Sequence, residues 1–88
     1  MHVDHFDWAD EDDPNGNTRH ITSAGYAPED IEDAIIAHHG PIGSTKGTKR
    51  PMIRAMTSDR EEIVIVFEME DSGDFILIRP VTAFPDEG

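Results

Sequence analysis

The residues of this chain that could do chemistry are five histidines, one group of cations and two acidic runs. His2 and His5, three residues apart with Asp4 and Asp7 beside them, carry the nitrogen and oxygen donors that a divalent metal takes. They stand at a terminus where nothing in the sequence fixes their geometry, so no metal site is expected there. His38 and His39 close a segment with helical spacing, where a cationic imidazole suits the negative end of the dipole. The acidic run at residues 10–13 lacks the central Gly and the twelfth-position Glu of an EF-hand loop. There is no Ser–His–Asp spacing, phosphate loop or dinucleotide fingerprint, so no cofactor is expected. The absence of Cys excludes disulfides and thiolate chemistry.

The cations are concentrated. Residues 1–38 hold ten acids and one base, Arg19. Residues 39–58 hold no acid and four bases, Lys46, Lys49, Arg50 and Arg54. Residues 59–88 hold nine acids and two bases, Arg60 and Arg79. The net charge of −12 excludes a protein that coats nucleic acid or an anionic membrane with its whole surface. It leaves residues 39–58 as one place where a phosphate backbone could be met.

These side chains need a scaffold, and 88 residues with 36% apolar content supply one small core. A single domain is expected, with its core over about residues 6–84, a flexible loop at 40–51 and a frayed tail at 85–88. The longest apolar run, residues 63–67, is far too short to span a bilayer. The first residues carry no basic and apolar leader pattern, so a cytoplasmic protein is expected.

The elements follow from spacing. Phe6 and Trp8 alternate with polar neighbours and predict a short strand. A short helix is expected over residues 18–24, ending before Gly25. A longer one is expected over 28–39, with Pro28 at its first position and acids in its first turn. Its buried stripe is Ile31, Ala34, Ile35 and His38, and Gly40 and Pro41 stop it. Three strand-like runs follow, at 52–57, 62–70 and 75–84, separated by polar turns. In the second, Ile63, Ile65, Phe67 and Met69 share one face, and Val64 and Val66 the other. An apolar run on both faces predicts the central strand. Pro80 predicts an edge or a bulge in the third. The expected fold class is α+β: a short N-terminal strand, one or two helices, then a three-stranded antiparallel meander.

Phe6-Asp7-Trp8 precedes Asn17-Thr18-Arg19-His20-Ile21, and Gly25-Tyr26-Ala27-Pro28-Glu29-Asp30 opens a helix. Arg50-Pro51-Met52-Ile53-Arg54 leads into a strand, and Pro80-Val81-Thr82-Ala83-Phe84 ends the last one. This order resembles that of the BrnT-type toxins and their relatives, over roughly residues 6–84. It implies a RelE-like fold, a DNA-binding antitoxin as partner, and a ribonuclease that works without a metal and stalls translation. The chain differs in having Ala24 before Gly25, Arg19 as the lone base of its first helix, and an acidic end.

Cleavage of RNA without a metal needs a base for the 2′-hydroxyl proton, an acid for the leaving oxygen and a cation for the phosphorane. The resemblance marks His20 as the imidazole of the Asn-x-x-His pattern. Arg54 and Arg79 are the guanidinium candidates, on the two strands flanking the central one, and Lys46, Lys49 and Arg50 are an RNA-binding rim. The blander expectations are a structural His20, a solvent-facing Arg54 and a cross-strand pair of Arg79 with Glu68 or Glu70. The alternative function is a non-catalytic acidic module of the same fold that binds a protein partner.

Overall fold

The structure, a computed structural model, describes residues 1–87. Its centre is the strand β4 (Glu62–Asp71), whose β-branched run is buried on both faces from Ile63 to Phe67. The antiparallel neighbours of β4 are β3 (Pro51–Met56) and β5 (Ile76–Pro85). Two further strands extend the expected meander. β1 (His5–Phe6) pairs parallel with β5, and β2 (Gly43–Ser44) pairs antiparallel with β3. The result is a five-stranded mixed sheet in the order β1-β5-β4-β3-β2. With its two helices it is an α+β fold.

Both helices lie on one face. α1 (Asn17–Ser23) contributes Ile21, and α2 (Pro28–Ala37) contributes Ile31, Ala34 and Ile35. These meet Ile53, Ile63, Ile65, Phe67, Ile78 and Ala83 of the sheet in one core cluster. α1 ends in a Schellman motif. Gly25 (φ +97°) takes the left-handed position, and the Tyr26 and Gly25 amides donate to the carbonyls of Ile21 and Thr22. Tyr26 and Ile21 then share the core.

α2 stops at Ala37, two residues short of its expected end, so both histidines fall outside it. His38 has already turned extended (ψ 129°), and its amide reaches only the Ile35 carbonyl. The group that meets the helix's last carbonyls is the Met1 ammonium, 2.6 Å from the Ile36 oxygen and 3.0 Å from that of His38.

Residues 40–51, expected as a flexible loop, contain β2 and a hydrogen-bonded turn. The Thr45 amide donates to the Arg50 carbonyl at 2.9 Å, and the Arg50 amide returns to Thr45 Oγ1 at 3.0 Å. At the chain's end, β5 runs to Pro85, and the Asp86 amide still bonds the Glu62 carbonyl. Of the tail expected to fray, Gly88 lies outside the described residues.

The irregularity at Pro80 decides what the sheet presents. Val66 pairs with Thr82 but Phe67 with Pro80, so Val81 has no partner and forms a bulge. Because side chains alternate with a period of two, this reverses the parity of β5. Ala83 and Ile78, an odd and an even position, therefore both enter the core. Arg79, which would share the core face of Ala83 in an unbroken strand, is turned onto the open face opposite Glu68.

Candidate functional site

The bulge forms one wall of a groove of about 400 Å³. The other walls are residues 14–17 at the start of α1, His20, and the side chains of Arg50 and Glu68. α1 packs on β5. Gly16, the N-cap of α1, is buried, and a Cβ there would stand 2.5 Å from the Ala9 Cβ. Asn17 ties three segments together. Its Oδ1 accepts from the Ala9 amide at 2.8 Å, while its Nδ2 donates to the carbonyls of Asp7 at 3.0 Å and Pro80 at 2.7 Å. The last of these bonds holds the helix start directly on the bulge.

One turn further along, His20 is exposed and its Nε2 is 3.1 Å from Thr82 Oγ1. Thr82 shares the open face with Val66, its partner across the sheet. His20 therefore reaches over the rim of the sheet, while its neighbour Ile21 is fully buried beneath it.

Glu68 shares the groove with two arginines. Arg79 is directly opposite it on β5, with Nη1 3.6 Å from Glu68 Oε1. On the other side, Met52 pairs with Val66, and extending that antiparallel register by two residues sets Arg50 opposite Glu68. Arg79 also holds Asp7, whose Oδ2 accepts from Nε at 2.8 Å and from Nη2 at 2.7 Å. The hydrogen bond and charge of Asp7, with a smaller contribution from Glu68, hold the Arg79 guanidinium protonated beyond the ordinary arginine range.

The site candidates thus fall into two groups. His20 and Arg79 line the same groove, and Arg50 joins them. Arg54 shares the open face with Arg79 but is opposite Val64, four residues or roughly 13 Å along β4 from Glu68. There it pairs with Asp86 at 3.5 Å. Lys46 and Lys49 stand exposed on the turn before β3 and do not line the groove. Lys49 occupies the left-handed region (φ 56°), part of the turn that sets Arg50 beside the sheet. Glu68 is the groove residue that sequence reasoning saw only as a partner for Arg79. Its signal was the change of the even positions of β4 from Val64 and Val66 to Glu68 and Glu70.

At the N-terminus, His2 pairs with Asp4 at 3.0 Å, and the Asp4 carboxylate also accepts from the Ile76 amide at 2.8 Å. The backbone bond, then His2, holds the Asp4 carboxyl below the usual carboxylate range. Among the described residues, no group of three or more His, Asp or Glu side chains is placed to hold a metal ion. No helix among them is long and apolar enough to cross a membrane.

A carboxylate, an imidazole and two guanidiniums around one groove form a set that can move protons and stabilise a phosphoryl anion. Comparisons with protein-family models, curated proteins and solved structures found no match for the chain.

Proposed function

We propose that the groove cleaves RNA without a metal, and that the protein is a BrnT-like toxin or toxin relative with a RelE-like fold. It would act in the cytoplasm and be held by a cognate antitoxin protein. The observation that carries this reading is the convergence of His20, Glu68, Arg79 and Arg50 on one groove. Glu68 takes the proton of the 2′-hydroxyl as its oxygen attacks the adjacent phosphorus. Imidazolium His20 gives a proton to the departing 5′-oxygen. The products are a 2′,3′-cyclic phosphate and a 5′-hydroxyl. Arg79 and Arg50 meet the charge that grows on the phosphorane. Lys46 and Lys49, exposed on the turn that carries Arg50, act as attractors for the incoming strand.

The test is a labelled single-stranded RNA incubated with pure protein in EDTA. Wild type should yield cyclic-phosphate ends. His20→Ala and Glu68→Gln should each lose about 10²–10⁴-fold in rate. Arg54→Ala, at the far end of the sheet, should stay within a few-fold. Equal integrity of the RNA with wild type and with both groove variants rejects the reading.

One observation favours the second reading, a non-catalytic module that binds a basic protein. Two carboxylates already occupy Arg79, so the groove's fixed charges cancel within a chain of net −12. Recovery of a protein partner by a protein inert on RNA would support it.

A further inference from the structure

We infer that Asp7 is a positioning residue for Arg79, setting which edge of the guanidinium faces the groove and how strongly a resting phosphate is held. This rests on the ribonuclease reading of the groove.

Asp7 is itself fixed at three points. Its amide donates to the Ile78 carbonyl at 2.9 Å, its carbonyl accepts from Asn17 Nδ2 at 3.0 Å, and its carboxylate holds Arg79. A single oxygen, Oδ2, takes both Nε and Nη2 of Arg79. That leaves Nη1 as the edge turned toward Glu68, at a distance longer than a hydrogen bond. An arginine side chain is ordinarily free to rotate, and Asp7 removes that freedom before substrate arrives.

The charges give the arrangement its selectivity for the transition state. Before reaction, Asp7 and Glu68 together outweigh the single positive charge of Arg79, so a phosphodiester gains little from it. When Glu68 accepts the 2′-hydroxyl proton, its charge beside Nη1 disappears as negative charge develops on the phosphorane oxygens. Nη1 then has one anionic neighbour left to serve. The interaction strengthens at the transition state and not before, the condition for raising the rate and not merely the affinity. Asp7 takes no part in the proton transfer and keeps the fork aimed.

Two variants separate the aim from the charge. Asp7→Asn retains an oxygen acceptor for Nε and Nη2 but removes the charge. It should lower KM for RNA about two- to fivefold with little change in kcat. Asp7→Ala removes the acceptor as well, and should lower kcat roughly 10- to 100-fold per folded molecule. Each is compared with wild type for cleavage of RNA and, by fluorescence anisotropy, for binding of the same oligonucleotide carrying 2′-deoxyribose at the cut. Wild type that cleaves, with both variants matching it in kcat and KM, overturns the role of Asp7 and leaves the proposed activity standing. Equal loss in the two variants also overturns it, because aim and charge would then not be separable. Should wild type cleave nothing, the activity fails and the anisotropy arm decides alone. Tighter binding by Asp7→Asn upholds the electrostatic role, and unchanged binding rejects it.

Discussion

The two faces of β4 carry neighbouring residues to different ends. On the helix side, Ile63, Ile65 and Phe67 are fully buried under α1 and α2. On the open side, Val64 and Val66 are nearly as buried, covered from within the sheet by neighbours such as Met52, Phe84 and Thr82. Past Val66 the open face becomes polar, where Glu68 pairs across the sheet with Arg79 and Arg50 lines the same groove. The helix-side face is a core from Ile63 to Phe67. The other is apolar at one end and a charged groove at the other. The lesson is that burial alone does not separate the faces; what covers each one does.

The sharpest way to break the comparison is at Phe67, which has helices above it and Pro80 beside it. Phe67→Ala should cost about 3–5 kcal/mol in urea denaturation, because removing a fully buried ring leaves a cavity that its neighbours close only in part. Asn17 is the next largest. Asn17→Ala removes three hydrogen bonds that join the N-terminal segment, α1 and the bulge, and should cost about 2–3 kcal/mol. It should also raise amide exchange at residues 7–9. Val66→Ala, on the open face, should cost about 1–2 kcal/mol, since the neighbouring side chains can close part of the gap. If Val66→Ala costs as much as Phe67→Ala, the open face is packed as tightly as the core.

The smallest effect is a pH dependence at the edge where β1 joins β5. Asp4 has a lowered pKa through the Ile76 amide, so its contribution is fully present above the unfolded carboxyl value. It is lost as pH falls through the lower folded value. NMR of the Ile76 amide should show a transition below about pH 4, and Asp4→Asn should abolish it. A pH-independent Ile76 amide counts against the bond.

Much of the scaffold was readable from spacing. The Pro28 start of α2, the Gly25 stop of α1, the three long strands and the central place of β4 all follow from residue type and period. Pro80 announced the bulge because it cannot donate to a ladder. The short strand around Phe6 was readable from its alternation, but its parallel partner was not, and the other edge strand, β2, was not readable at all. His5 pairs with Leu77 and Gly43 with Met52, and a two-residue segment such as β2 leaves no periodic trace. His38 and His39 were misplaced because helix ends depend on which carbonyls find donors, and here Met1 supplies one.

The site divides along the same line. The sequence by itself determined which chemistry was present: imidazole at His20, guanidinium at Arg50, Arg54 and Arg79, and one acid-free stretch in an acidic chain. Only the tertiary structure decided which of them meet. The unpaired Val81 shifts β5 by one residue, and in a period-two strand one residue moves a side chain to the opposite face. That shift carries Arg79 out of the core to Glu68, where the start of α1 brings His20 and the turn before β3 brings Arg50, while register leaves Arg54 four residues away.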